Sequence, residues 1–178
     1  SRYRLWVNGQ RVQWGPAPAD PRWPEADPLD IRPYLQKGKN VLAAEVLYFG
    51  LGDGTSPIGK PGFICKLEVG NRLVASDSTW LVSVARSWPA GQYKRHYVRA
   101  FQEEFDANRY PDGWRQADYT PGSEWVYAME LGGRADRSQL ATDYPEYLQD
   151  YWASNRDVSR IRPRSIPLMR EYWVPVSK

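Results

Sequence analysis

Three carboxylates crowd into Gln102-Glu103-Glu104-Phe105-Asp106-Ala107-Asn108. Hydrolysis of a glycosidic bond needs two carboxyls facing a sugar from opposite sides, about 5–10 Å apart. On an extended strand Glu104 and Asp106 share one face at roughly 7 Å, so the distance is compatible with that chemistry. Neighbouring carboxyls on one strand more often serve structure, and catalysis is not the expectation here. Glu104, Asp106 and Asn108 also offer hard oxygens of the kind calcium collects in sets of six to eight. The competing use is turn chemistry ahead of Pro111-Asp112-Gly113, the commoner role of Asp and Asn.

Other reactive patterns are weaker. Gly50-Leu51-Gly52-Asp53-Gly54-Thr55 invites a phosphate-loop reading. It lacks the Gly-Lys-Ser/Thr ending and no helical pattern follows it. Ser56, Ser76 and Ser87 lack the Gly-x-Ser-x-Gly elbow, and the single histidine, His96, leaves one base for any triad. One cysteine, Cys65, cannot form an intrachain disulfide and reads as a small core residue. One His and one Cys do not make the usual zinc sets.

Aromatic residues carry the strongest binding signal. Nine Trp and twelve Tyr exceed what one small core holds, so some rings should lie at a surface, where an amphipathic ring serves recognition. Trp14, Trp23, Trp88, Tyr93 and Trp114 sit in or beside Pro/Gly-rich segments. A ring can stack on the C–H face of a sugar while neighbouring polar groups bond its hydroxyl rim. Asp20, Arg22 and Asp27 flank Trp23, and Asp112 and Arg115 flank Trp114. If sugar is bound, Trp23 or Trp114 is the expected platform, with Arg22, Asp106 and Asn108 as polar neighbours.

The elements that must position these groups are mostly strands. Residues 2–7 alternate, with Tyr3, Leu5 and Val7 on one face. Asn8-Gly9 then supplies a hairpin turn, and residues 10–14 read as the return strand. Five prolines between residues 15 and 28 predict a surface loop. A helical turn is expected over 30–35, a buried strand over 41–49, and a glycine-rich loop over 50–62. Strands follow over 63–69, 72–76, 80–85, 98–105 and 125–131. No βαβ rhythm is present, so the fold class is all-β, an antiparallel sandwich. One helix is expected near the C-terminus, where Tyr144, Tyr147, Leu148 and Tyr151 form a stripe at helical spacing. Residues 161–178 read as a linker and tail leaving the domain, after an inserted loop and short helix over 132–160.

With 24 basic and 21 acidic residues the net charge is +3. The signs are mixed and no nucleic-acid motif accompanies them, so no nucleic-acid partner is expected. There is no 18-residue apolar run, and hence no membrane partner by way of a helical span. No signal peptide is visible, but the chain starts inside a strand-like pattern, which leaves secretion open.

The ordered landmarks resemble the N-terminal jelly-roll, sugar-binding-type domain of bacterial alpha-L-rhamnosidases. They are Tyr3-Arg4-Leu5-Trp6-Val7-Asn8-Gly9, Gly15-Pro16, the run from Asp30-Ile31 to Gly38-Lys39-Asn40-Val41-Leu42, Ser76-Asp77-Ser78-Thr79-Trp80, Glu104-Phe105-Asp106-Ala107-Asn108, Gly113-Trp114, Ser123-Glu124-Trp125 and Arg164-Ser165-Ile166-Pro167-Leu168. Two positions depart from the pattern: Gln102 stands for a glycine and Asn108 for an arginine. They bear on the calcium-dependent rhamnose binding that some members perform near here. The resemblance implies a non-catalytic, galactose-binding-like accessory domain of a glycoside hydrolase, outside the cytoplasm of a bacterium. Its catalytic acid and base lie in a separate barrel, which becomes the expected partner together with a carbohydrate such as a rhamnose-containing glycan. The alternatives are a purely structural domain and the sugar-binding domain of another glycoside hydrolase, such as a beta-galactosidase-like enzyme. No cofactor is expected beyond that calcium ion. The family has strands before the Tyr-x-Leu-x-Val-Asn-Gly strand. Their absence here predicts an unpaired edge, covered by a second copy or by a tail strand over 172–176.

Overall fold

The computed structural model of the chain describes residues 1–19, 25–48, 62–91, 102–130, 161–170, 172, 174 and 175. The chain divides into two compact units. Ser1–Phe63 and Leu131–Lys178 form the first, and Ile64–Glu130 the second. The regular elements among the described residues are strands and short 3-10 turns, an all-β structure built of small sheets, antiparallel but for one parallel pair.

In the first unit, β1 (Arg2–Val7) lies between β2 (Gln10–Gly15) and β4 (Leu42–Leu47), antiparallel to both. Asn8 and Gly9 turn the β1–β2 hairpin with φ of 50° and 79°, values that few residues other than Asn and Gly accept. The Asn8 side chain does a second job. Its Nδ2 donates to the Tyr34 carbonyl and to Asn40 Oδ1, both at 2.9 Å, and its Oδ1 accepts from the Val41 amide at 2.9 Å. Asn40 in turn bonds the Gln36 amide and carbonyl. The distant landmarks Asn8-Gly9 and Gly38-Lys39-Asn40 are thus two halves of one polar clasp.

Strict alternation on β1 does not hold. Leu5, Trp6 and Val7 are all buried, at 5%, 6% and 1% exposure. The β1–β2 register shifts between Leu5 and Trp6, which leaves Val12 as an extra residue on β2, a bulge of the kind that bends the strand carrying it. β1 is the central strand of this sheet, hydrogen-bonded on both sides, and β2 and β4 are its outer strands. Of the expected tail strand only residues 172, 174 and 175 are described, and Tyr172 and Val174 are exposed.

The returning chain pairs instead at β9 (Arg162–Pro163), parallel to β3 (Glu25–Ala26). Residues 162–164 thereby pack within the first unit. Arg164 anchors them, its side chain 2% exposed. Its Nε lies 2.5 Å from Asp27 Oδ1, and Nη2 donates to the Ala17 carbonyl at 3.0 Å. Nη1 lies 2.9 Å from Glu25 Oε2, close enough for an ion pair but not aligned for a hydrogen bond. The other Asp27 oxygen accepts from the Tyr3 hydroxyl at 2.5 Å. Gly15 leaves room for this group, since a Cβ there would meet Asp27 Oδ2 at 2.5 Å.

The helical turn expected at 30–35 is a 3-10 turn over Arg32–Tyr34, with Asp30 Oδ1 accepting from the Arg32 amide and Ile31 buried at 8%. The Arg32 guanidinium bonded to Asp30 holds that exposed carboxyl down at about 2. The glycine-rich loop of 50–61 and the helix expected at 144–155 lie outside the described residues.

In the second unit, β5 (Lys66–Val69) and β6 (Arg72–Ala75) form a hairpin around Gly70, whose φ is 57°. β7 (Leu81–Val82) pairs with β8 (Val126–Tyr127). The Ser76-Asp77-Ser78-Thr79-Trp80 landmark joins the two ribbons. Asp77 Oδ1 accepts from the amide and hydroxyl of Thr79 at 2.8 and 2.6 Å, and the Trp80 indole donates to the Ala75 carbonyl at 3.1 Å. Burial pushes the Cys65 thiol up. Strands are shorter here than the apolar patterns imply, and residues 102–105, expected to extend a strand from 98, form none.

Candidate functional site

The second unit gathers its aromatic residues into a chain of touching rings. Trp88 packs on Phe105 with centroids 4.8 Å apart and meets Tyr110 edge-on at 6.0 Å. Trp114 donates its indole N–H to the Tyr110 hydroxyl at 3.0 Å and lies 6.1 Å from Trp125. Trp125 completes the row by packing on Tyr119 at 5.8 Å and donating to its hydroxyl at 2.9 Å. Offset and edge-on geometries of this kind add about 0.5–1.5 kcal/mol per pair beyond burial. The Arg115 guanidinium lies 5.9 Å from the centroids of both Tyr110 and Trp114.

This row supports a loop that carries the expected polar residues. Asp106 caps a 3-10 turn over Ala107–Arg109, with Oδ1 accepting from the Asn108 amide at 3.0 Å and from Asn108 Nδ2 at 3.2 Å. Arg109 Nε stands 3.2 Å from Asp106 Oδ2. The Asp106 amide donates to the carbonyl of Ser87, which is fully buried.

Beside the turn lies a cleft of ≈ 520 Å3, whose polar lining is Ser83, Arg86, Asn108, Arg109, Tyr110 and Glu124. Val84 and Pro111 contribute apolar surface to it. Small-molecule pockets commonly measure about 300–1,000 Å3, and this cleft is open to solvent. Among the described residues neither Arg86 nor Glu124 has a side-chain hydrogen bond or ion pair, whereas Arg109 is held by Asp106. Gly122 lies against the Glu124 carboxylate, so a Cβ there would push that side chain aside.

The sequence-derived candidates separate accordingly. Asn108 lines the cleft. Asp106 stands behind it and orients both Asn108 and Arg109. Trp114 is half-buried, with its N–H already used and one side of its ring turned to Trp125. Trp23 and Arg22 lie outside the described residues. Glu103 accepts from the Trp88 indole at 3.0 Å, a structural task, and Glu104 is exposed. Both Asp106 oxygens are engaged within the turn, Oδ1 by Asn108 and Oδ2 by Arg109. No group of three or more His, Cys, Asp or Glu side chains suited to a metal occurs among the described residues.

Sequence reasoning did not single out Arg86, Arg109, Tyr110 or Glu124. Only the Ser123-Glu124-Trp125 landmark touched the set, and no local pattern distinguishes Arg86 from a surface cation.

No family model matches the chain, and no curated protein matches it. A solved structure does: a GH78 family rhamnosidase of Bacillus sp. GL1, at 26% identity and a TM-score of 0.75 over 94% of this chain. The fold is rhamnosidase-related. The matched region is 16% of that enzyme's chain, so the present residues correspond to a small part of it. With the ordered landmarks of the sequence, this points to a domain related to glycoside hydrolases.

Proposed function

We propose that the chain is a non-catalytic accessory domain of an alpha-L-rhamnosidase-like glycoside hydrolase, of jelly-roll type, whose first role is to buttress the catalytic domain. The observation that carries this reading is the structural match to a rhamnosidase across nearly the whole chain and a small part of that enzyme. Two features of the second unit support a buttressing role. Its loop tryptophans are turned into one another, and its ribbons leave Leu73, Val74, Val82 and Val126 exposed. Apolar residues on both ribbons suit contact with a neighbouring domain.

Incubating the chain with aryl rhamnosides and other aryl glycosides tests its lack of catalysis, and turnover that survives purification would overturn the reading. Deleting these residues from the full-length gene product tests the buttress. A lowered melting temperature is expected, and unchanged stability of the remaining enzyme would refute it.

A further inference from the structure

We infer that the cleft beside residues 107–110 binds a saccharide carrying a carboxylate, such as a hexuronic acid. That the ligand is a saccharide rests on the glycoside hydrolase reading. That it is acidic rests on the two arginines alone.

A guanidinium offers five donors in a planar fork that matches a carboxylate through two parallel bonds. Arg109 has only Nε committed, to Asp106 Oδ2 at 3.2 Å. Asp106 is itself fixed by the amide and side chain of Asn108. The Asp106 contact holds the head of Arg109 by one edge, leaving its two terminal nitrogens for a ligand. Arg86 lines the same cleft and has no anionic partner among the described residues. Arg86 and Arg109 line the cleft against one carboxylate, Glu124, so its lining carries a net positive charge that favours an entering carboxylate. A neutral sugar has no such gain.

The rest of the wall suits a sugar ring. Asn108 offers an amide that both donates and accepts, and Glu124 offers an acceptor for hydroxyl protons. The Tyr110 hydroxyl accepts from Trp114 Nε1, which leaves its own proton to donate. Val84 and Pro111 provide apolar surface for a C–H face. Arg109 and Asn108 are ligand-contacting residues, and Asp106 is a positioning residue that acts through them.

The test is calorimetric or NMR titration of the whole chain with glucuronate and galacturonate, beside glucose, galactose and acetate. Expected is uronate binding that exceeds both the neutral hexoses and acetate by roughly tenfold, the scale of one charge-assisted hydrogen bond. Arg86→Gln should weaken it by a similar factor with the melting temperature unchanged, since that side chain supports nothing else. Arg109→Lys keeps the charge, loses the fork and should fall between. Absence of uronate binding, or binding indifferent to Arg86→Gln, overturns the proposal. Acetate binding equal to uronate reduces the site to a general anion pocket and overturns its saccharide character. Neutral hexoses binding as well as uronates would leave the glycoside hydrolase reading standing and overturn this one.

Discussion

Asp27 and Arg164 are the most consequential charged residues in the first unit. Their side chains are 4% and 2% exposed and face each other at 2.5 Å. Removing one partner of a buried pair strands the other charge, which costs about 3–5 kcal/mol. Arg164→Met should destabilise the chain on that scale in urea unfolding, whereas an exposed pair such as Arg4–Glu45 should matter little when broken. Ser87 is the opposite case. It is fully buried and its Oγ has no partner. Ser87→Ala removes an unsatisfied hydroxyl, so stability should stay level or rise by up to about 1 kcal/mol. A clear loss would reveal a bond that the hydroxyl makes. Neither residue announced its role in the sequence. Arg164 was visible only as part of a closing landmark, because its carboxylate partner lies 137 positions away, and nothing near residue 87 signals burial.

Among the elements, legibility followed locality. The β1–β2 hairpin was readable because Asn8-Gly9 specifies its turn, and the turn at Arg32–Tyr34 because Asp30 sits at its start. The β2 bulge was not readable, since the pattern of residues 10–15 carries no sign that Val12 is an extra residue. In the second unit, apolar runs overstated strand length. Its two-residue strands owe their place to the ring row and to bonds such as Ala128 N to Trp80 O at 2.8 Å. Two-stranded ribbons are marginal on their own, so the rings should decide whether this unit folds. Trp125→Ala removes contacts to both Trp114 and Tyr119 and should cost at least about 2 kcal/mol. Hydrogen exchange should show the loss at 81–82 and 126–127. Trp125→Phe, which keeps the ring contacts, should cost less. Exchange unchanged by the Ala substitution would mean that the row is decoration rather than support. For the same reason a binding defect in Trp114→Ala says little by itself, because that ring also holds Tyr110 at the cleft.

At the scale of the molecule, the sequence disclosed the all-β class and the likeness to rhamnosidases through landmarks spread over most of the chain. It did not disclose the division into two units, which depends on which distant segments meet. The second unit exposes Val82 and Val126, register partners on β7 and β8, at 43% and 58%. Replacing both with Thr retains strand preference while reducing apolar area. Fluorescence of an apolar dye should fall with the melting temperature held, and dye binding that persists would place the sticky surface elsewhere.

The Arg164 contact also sets an order of events on the ribosome. The sheet of β1, β2 and β4 has all its strands once residue 47 has emerged, yet the Asp27 and Glu25 carboxylates must wait for a cation more than a hundred residues further on. The whole second unit, residues 64–130, is synthesised during that wait. A nascent chain whose emerged portion ends between residues 130 and 160 should therefore carry a second unit free to fold and a first unit still open at Asp27. Protease should attack the first unit readily until Arg164 arrives.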